Sequence, residues 1–168
     1  DTAALARTGQ ELAPPGRIVE TVIEVNDARK RAMVEKIRSA LDDRLAGRRI
    51  AVLGVTFKPN TDDMREAPSL TIVPALIGGG AEVRVSDPEG RKEGEAMLPG
   101  VTWCDDAYEA AAEADALVII TEWNEFRALD LERLRQTMRG TVLVDLRNIY
   151  VPEEARAAGF TYTSVGRP

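Results

Sequence analysis

The sequence predicts an α/β fold, with a doubly wound, mostly parallel six-stranded sheet preceded by a long α-helix. Two observations predict it. Short apolar runs typical of buried strands alternate with helical patterns after residue 47. Before them, apolar residues recur at spacings of three and four over residues 17–46. The chain therefore divides into two predicted regions, 1–47 and 48–168.

The long helix is predicted to run from Arg17 to Ala46 and to end at Gly47. It would be roughly 40 Å long, more than one side of a domain of this size requires. We expect it to connect two domains or to pack on a partner, and its apolar stripe favours a homodimer. A shorter helix is predicted over 2–12, ended by Pro14-Pro15-Gly16. The chain starts at Asp1 in what resembles a helix already under way. We therefore expect this sequence to be the C-terminal portion of a longer protein.

Strands and helices alternate through the second region. Strands are predicted at 49–55, 81–86, 101–103, 116–120, 141–145 and 160–164, the last of them at a sheet edge. Helical patterns lie between them at 69–77, 105–114, 124–138 and 152–158. Ligands of such sheets bind beyond the carboxyl ends of the strands. The segments after Val55, Ser86, Ile120 and Asp145 are therefore where a site is expected.

The composition excludes several classes of function. The 168 residues include no His and one Cys, and 22 Lys+Arg against 28 Asp+Glu give a net charge of −6. Without His there is no Ser-His-Asp or Cys-His nucleophile and no His-ligated metal, so no metal site is predicted. The acidic charge argues against a nucleic-acid partner, and no apolar run reaches the roughly 20 residues that span a bilayer. We expect a soluble, cytoplasmic protein whose chemistry depends on carboxylates, Lys, Arg and backbone groups.

The loop after the first strand is the strongest candidate site. It lies where a nucleotide-binding loop would lie, yet G-x-G-x-x-G is absent and only Gly54 is present. Lys58 can offer a point charge to a phosphate, and Arg65 a bidentate fork. The alternative is a surface loop in which Asp62 and Asp63 neutralise both bases. The residue chemistry alone favours neither reading.

Other strand ends carry weaker signals. Arg147 follows the fifth strand and either reaches the same crevice or pairs with Asp145 or Asp87. Asp87 lies where an acidic side chain can hydrogen-bond to a ribose, but the Pro that follows it favours a simple turn. Trp123 follows the fourth strand, and packing under a loop is commoner for such a residue than stacking on a ligand. Cys104 is followed by two Asp residues that would raise its pKa, so we interpret it as structural.

Residues Gly54–Leu70, G-V-T-F-K-P-N-T-D-D-M-R-E-A-P-S-L, resemble the hallmark segment of the C-terminal domain of the UDP-glucose/GDP-mannose dehydrogenase family. Thr121-Glu122-Trp123 and Val144–Asn148 are similar to further signatures of that family, and the long helix is similar to its interdomain helix. The resemblance covers essentially the whole chain and implies a Rossmann-like sheet. Within the family, the sequence of Thr56–Arg65 is most similar to that of bacterial UDP-glucose 6-dehydrogenases.

The resemblance implies NAD-dependent oxidation of the C6 alcohol of UDP-glucose to a carboxylate. The family does this in two steps, through a thiohemiacetal and a thioester on a Cys, in the cytoplasm for polysaccharide biosynthesis. The family's N-terminal domain, with the G-x-G-x-x-G site that binds most of the NAD and with the catalytic Cys, is not in this sequence. These residues alone are therefore expected to be inactive.

The resemblance also assigns roles to single residues. Phe57 and Lys58 match a pair that contacts the nucleotide sugar, and Arg147 matches a substrate-binding Arg. Arg65 matches a residue that reaches the NAD. Asp1 matches the family's catalytic Asp, which is linked to activation of water. Three basic side chains around one crevice suit a doubly charged pyrophosphate.

Two alternatives remain open in the sequence. The first keeps the mechanism and changes the sugar, as in a UDP-N-acetylmannosamine or GDP-mannose dehydrogenase. The second is a binding module without catalysis, such as a receiver-like signalling domain with Asp62 and Asp63 as its acidic pair.

Overall fold

The structure is a computed structural model, and it describes residues 17–167. The helix predicted over 2–12 and the predicted catalytic residue Asp1 lie outside these residues. Within them, the predicted α/β fold is confirmed: a six-stranded sheet follows a long helix.

The long helix, α1, spans Arg17–Ala40 and is about 36 Å long. The predicted end at Ala46 was wrong, because the chain leaves the helix at Asp42, which adopts a positive φ of 52°. The Asp43 N–H donates to the Arg38 carbonyl at 3.0 Å and the Asp42 N–H to the Ser39 carbonyl at 3.3 Å. This is a Schellman ending with Asp, not Gly, in the left-handed position. Gly47, at φ 73°, is used in the connection to the first strand.

All six strands are parallel and lie in the order β3-β2-β1-β4-β5-β6. Their bounds are β1 Arg49–Leu53, β2 Glu82–Ser86, β3 Thr102–Trp103, β4 Ala116–Ile119, β5 Val142–Asp145 and β6 Thr161–Ser164. The last strand is at an edge, as predicted. The order reverses between β1 and β4, and their carboxyl ends therefore form the crevice where ligands of doubly wound sheets bind.

The helices between the strands agree in position with the predictions, with two corrections. They are α2 Ser69–Gly78, α3 Arg91–Met97, α4 Ala107–Ala111, α5 Asn124–Arg127, α6 Leu131–Thr137 and α7 Pro152–Ala157. The segment 124–138 forms two helices, since the side chain of Asp130 accepts the Arg133 N–H and starts a new one. Helix α3 was not predicted, because its sequence R-K-E-G-E-A-M has no apolar periodicity.

The core lies on both faces of the sheet. Alternate residues of β1 show this: Ile50 and Val52 pack with α1 and α2, whereas Ala51 and Leu53 pack with the helices on the opposite face. The end of α1 and the turn that follows it pack on the same face as Ile50 and Val52, through three buried apolar side chains, Ile37, Leu41 and Leu45. Over residues 17–167, no helix is both long and apolar enough to cross a membrane.

The amino edge of the sheet is held by one buried carboxylate, that of Asp115. It accepts the Arg49 N–H at 2.8 Å, two N–H groups of Arg139 at 2.6 and 3.1 Å, and one of Arg48 at 3.4 Å. Burial alone would raise the pKa of Asp115, but the hydrogen bonds from Arg139 and the Arg49 backbone hold it below the ordinary value. The carboxylate therefore stabilises the folded state in its charged form.

We predict that Asp115→Asn lowers the free energy of unfolding by about 2 kcal/mol at neutral pH, because an amide has one acceptor oxygen for these donors. The folded pKa lies below the ordinary 3.8, so this stabilisation is complete above that value and is lost as the pH falls through the folded pKa. Urea unfolding at several pH values measures it. Asp105→Asn is the control, since the exposed Asp105–Arg91 pair should contribute less than about 1 kcal/mol. Equal losses in both variants would contradict the prediction.

Candidate functional site

A cleft lies at the carboxyl edge of the sheet, beside α1. It encloses about 760 Å³ and is lined by α1, the loop after β1, α2 and the segments after β4 and β5. Of the residues predicted to bind ligands, Phe57, Arg65 and Arg147 line it. The structure thus brings together residues that are up to 90 positions apart in the sequence.

The loop after β1 is anchored by the carboxylate of Asp87, at the end of β2. Its Oδ2 accepts the N–H groups of Val55 at 2.6 Å and of Thr56 at 3.1 Å. Its Oδ1 accepts the N–H groups of Glu89 at 3.0 Å and Gly90 at 2.7 Å. The turn predicted for Asp87 is confirmed. In addition, its carboxylate occupies the backbone donors that a phosphate would use in a glycine-rich loop.

Three further side chains satisfy the remaining polar groups at the start of this loop. The hydroxyl of Ser69 donates to the Val55 carbonyl at 2.5 Å, and that of Thr121 donates to the Thr56 carbonyl at 2.7 Å. The Trp123 indole N–H donates to the Thr56 hydroxyl at 3.3 Å. Trp123 is buried, so the prediction that it packs under a loop is confirmed. The backbone at Val55 and Thr56 is therefore fixed from β2, α2 and the segment after β4.

Gly54 permits the close approach of β1 and β4 at the crevice. Its φ is 81°, and a Cβ added there would lie 2.6 Å from the Thr121 Cβ and 2.9 Å from the Thr121 backbone. A glycine is required both by the conformation and by the contact. The structure thus explains the one glycine of the loop without a phosphate cradle.

Arg65 pairs with Asp63, as the surface-loop alternative predicted. Its Nε and Nη2 donate to the two carboxylate oxygens at 2.9 and 2.8 Å, and the hydrogen bonds lower the pKa of Asp63 to about 2. The Arg65 side chain is nevertheless 85% exposed. It therefore keeps its remaining N–H groups on an accessible side of the cleft.

Arg147 pairs with Glu122, and not with Asp145 or Asp87 as the alternative reading proposed. Its Nε and Nη2 donate to the two Glu122 oxygens at 2.5 and 2.7 Å. Partial burial alone would raise the pKa of Glu122, but the hydrogen bonds from Arg147 outweigh it and lower that pKa. The backbone N–H of Arg147 donates to the buried Asp145 at 3.0 Å. Arg147 is therefore held at its backbone by Asp145 and at the charged end of its side chain by Glu122.

Lys58 and Phe57 occupy the exposed part of the loop. Phe57 is half exposed, and its N–H donates to the Asp63 carbonyl at 2.8 Å, which closes the loop on itself. Lys58 is exposed and does not line the cleft, in contrast to the predicted convergence of three bases. Within the described residues it has no ion pair. Its assignment to the ligand stays a prediction.

The sequence analysis missed the contribution of α1 to the cleft and the partner of Arg147. Asn26 and Lys30 line it from α1, and their spacing of four residues on a predicted helix was the available signal. Lys30 approaches Asp27 at 3.5 Å and Glu66 at 3.9 Å. Glu122 was noted only as a neighbour of Trp123, because it is 25 residues from Arg147 in the chain and meets it only through the pairing of β4 with β5.

Cys104 lies away from the cleft and is buried. Burial raises the pKa of its thiol, and the nearby acids add to this, while Arg84 acts in the opposite direction. A thiol of this kind is a poor nucleophile, in agreement with the structural interpretation. Among the described residues, no group of three or more His, Cys, Asp or Glu is placed to hold a metal ion.

The strand order and the cleft at the switch point define a doubly wound Rossmann-like domain, of the class that binds nucleotides at this edge. The chain belongs to the UDP-glucose/GDP-mannose dehydrogenase family, since residues 51–152 match the model of that family's UDP binding domain. The resemblance inferred from the Gly54–Leu70 segment is confirmed. Family membership and the six-stranded order exclude the receiver-like alternative, whose sheets have the order 2-1-3-4-5.

Individual relatives agree with this assignment. The chain is 55% identical over 168 residues to a UDP-glucose 6-dehydrogenase of Rhizobium meliloti, and it spans 38% of that protein's length. The structure of a UDP-glucose dehydrogenase from Pyrobaculum islandicum matches 96% of the chain with a TM-score of 0.77 and 33% identity, over 35% of its own length. That of a UDP-D-ManNAc dehydrogenase from Pyrococcus horikoshii matches 90% of the chain with a TM-score of 0.68 and 28% identity, over 33% of its length.

We predict that Gly54→Ala destabilises the protein much more than Gly47→Ala. Both positions have positive φ, which costs a non-glycine residue about 1–2 kcal/mol. A Cβ at Gly47 meets nothing within 4 Å, whereas one at Gly54 overlaps Thr121 and should cost about 1–3 kcal/mol more. Denaturant unfolding of the two variants measures the difference. Equal losses of stability would show that the close approach of the two strand ends is not required.

Proposed function

We propose that this chain is the nucleotide-sugar-binding part of an NAD-dependent UDP-glucose 6-dehydrogenase, which oxidises UDP-glucose to UDP-glucuronate in two steps. The observation that carries the proposal is the convergence of Phe57, Arg65 and Arg147 on one cleft at the switch point of the sheet. The identity of 55% to a UDP-glucose 6-dehydrogenase supports it. Since the chain spans 38% of that relative, the activity is proposed for the complete protein.

The charges of the cleft suit an anion bound by side chains. Asp87 occupies the N–H groups of Val55 and Thr56 at the start of the loop, so we assign the pyrophosphate to guanidinium groups. Arg147 and Arg65 each use two N–H groups on a carboxylate and keep three for a ligand. Phe57 offers an exposed ring to the nucleotide sugar, and Lys58 is an exposed positive charge next to it in the same loop.

The chemistry itself requires groups outside the described residues. NAD, when bound, supplies the hydride acceptor, and Arg65 is the residue that we assign to it. Asp1 is assigned to the activation of water. We propose that the nucleophilic Cys and most of the NAD site belong to sequence that precedes Asp1, because Cys104 is buried with a raised pKa. The 168-residue chain by itself is expected to be inactive.

We also propose that the complete protein is a cytoplasmic homodimer in which residues 1–47 form the central, dimerising region and 48–168 the sugar-binding domain. Ile18 is 82% exposed and Val25 59% exposed, and with Val22 they form an apolar stripe on the first half of α1. Sedimentation should give a dimer for the complete protein and a monomer for Val25→Asp. A wild-type monomer would contradict this part of the proposal.

We predict that Arg147→Met raises the KM for UDP-glucose in the complete protein by about 10- to 100-fold, because a charged donor to the pyrophosphate is lost. NADH formation, with two NAD reduced per UDP-glucose, is the measurement. Arg38→Met is the matched control, since Arg38 is similarly exposed and ion-paired but lies at the far end of α1. Its KM should not change.

Three outcomes separate the possibilities. If the complete protein binds UDP-glucose but reduces no NAD, the proposed dehydrogenase activity is contradicted. NAD reduction with UDP-N-acetylmannosamine or GDP-mannose, and not with UDP-glucose, would favour the alternative substrates within the family. An unchanged KM in Arg147→Met would remove Arg147 from the site.

A further inference from the structure

We propose that Glu122 is a positioning residue of the anion site, which fixes the guanidinium of Arg147 so that its free edge faces the cleft. The inference rests on the proposed function, in which Arg147 contacts the pyrophosphate of the ligand. It adds to that function a residue in the T-E-W segment after β4, whose carboxylate acts on the ligand through Arg147.

The contact between the two side chains is bidentate and uses one edge of the guanidinium. Nε donates to Oε2 at 2.5 Å and Nη2 donates to Oε1 at 2.7 Å. A guanidinium has five N–H groups. The two on Nη1 and the second on Nη2 lie along the other edges, and within the described residues Nη1 has no hydrogen-bond partner. This free edge can take a second bidentate partner, such as a phosphate.

The two residues of the pair differ in their exposure and in their position relative to the cleft. Arg147 is among the residues that line the cleft, whereas Glu122 is not. The Arg147 side chain is 42% exposed and that of Glu122 is 26% exposed. Glu122 is therefore the more buried member of the pair. In the proposed arrangement it contacts the guanidinium from that side, and a ligand reaches Arg147 from the cleft.

The base of the Arg147 side chain is fixed by a separate interaction. Its backbone N–H donates to Asp145 Oδ1, while Asp145 Oδ2 accepts the Tyr150 N–H and the Tyr162 hydroxyl. Glu122 and Asp145 follow adjacent strands, β4 and β5, whose register pairs Ile119 with Asp145. The backbone is therefore held by Asp145 and the charged end by Glu122. Fixing a long side chain before the ligand arrives reduces the entropy lost on binding.

The negative charge of Glu122 disfavours binding of an anion, whereas its bidentate contact favours binding by holding Arg147 in place. Two substitutions separate these effects. Glu122→Gln removes the charge and presents one acceptor oxygen, while its NH₂ group opposes an N–H of Arg147. Glu122→Asp keeps the charge but is one methylene shorter, so it loses the bidentate geometry. If Glu122 positions Arg147, both variants bind the anion more weakly.

The test uses the complete protein with UDP as the probe, measured by calorimetry and by inhibition of NAD reduction. We expect the Kd for UDP to rise about 3- to 10-fold in both Glu122→Gln and Glu122→Asp. In an Arg147→Met background, the same substitutions should cause no further rise, because Glu122 acts through Arg147. Glu125→Gln, an exposed acid of the same segment, is the control, and thermal unfolding verifies that each variant is folded.

The outcomes distinguish this inference from the proposed function. If Arg147→Met weakens UDP binding but Glu122→Gln tightens it, Glu122 acts only as a repelling charge and the inference is overturned. An equal loss on substituting Glu122 with and without Arg147 would also overturn it, since the two residues would then act independently. If Arg147→Met leaves UDP binding unchanged, the proposed function itself fails at this residue.

Discussion

The site depends on the carboxylate of Asp87, which holds the loop after β1 in place. In doubly wound domains with a glycine-rich loop, the backbone donors at this position bind the phosphates of the ligand. Here Asp87 accepts the N–H groups of Val55 and Thr56, so those donors are satisfied within the chain. For the anionic ligand that we propose, the charge is then met by side chains. This agrees with two Arg residues, Arg65 and Arg147, lining a cleft whose loop has one glycine.

Charge in the cleft is balanced before any ligand binds. Arg65 is paired with Asp63 and Arg147 with Glu122, each through two hydrogen bonds. Each pair leaves part of the guanidinium accessible, so the carboxylates orient the cations and do not remove them from the site. An acidic protein with a net charge of −6 in this way keeps accessible cations at one edge of its sheet, as the proposed anionic ligand requires.

The long helix combines two roles that its sequence pattern does not separate. Ile37, together with Leu41 and Leu45 just after the helix, belongs to the core of the sheet, whereas Ile18 and Val25 are exposed on the first half of the helix. All five fit the same helical spacing. The pattern therefore predicts an apolar stripe, but which part of it meets the sheet depends on where the helix ends. The helix ends at the Schellman turn at Asp42. The sequence does not predict this end, because glycine is the usual residue in the left-handed position of such a turn.

The sequence by itself determined the fold class, the number of strands, the edge position of the last strand and the family, because buried parallel strands and the Gly54–Leu70 segment are local patterns. It also identified Arg65 and Arg147 as candidates. Only the tertiary structure decided their partners: Arg147 meets Glu122 because β4 and β5 are adjacent, and Asp87 meets the loop after β1 because β2 lies beside β1. Lys58, which follows the same local pattern, was placed outside the cleft. Pairing between residues far apart in the chain depends on strand order and register, and no local spacing encodes these.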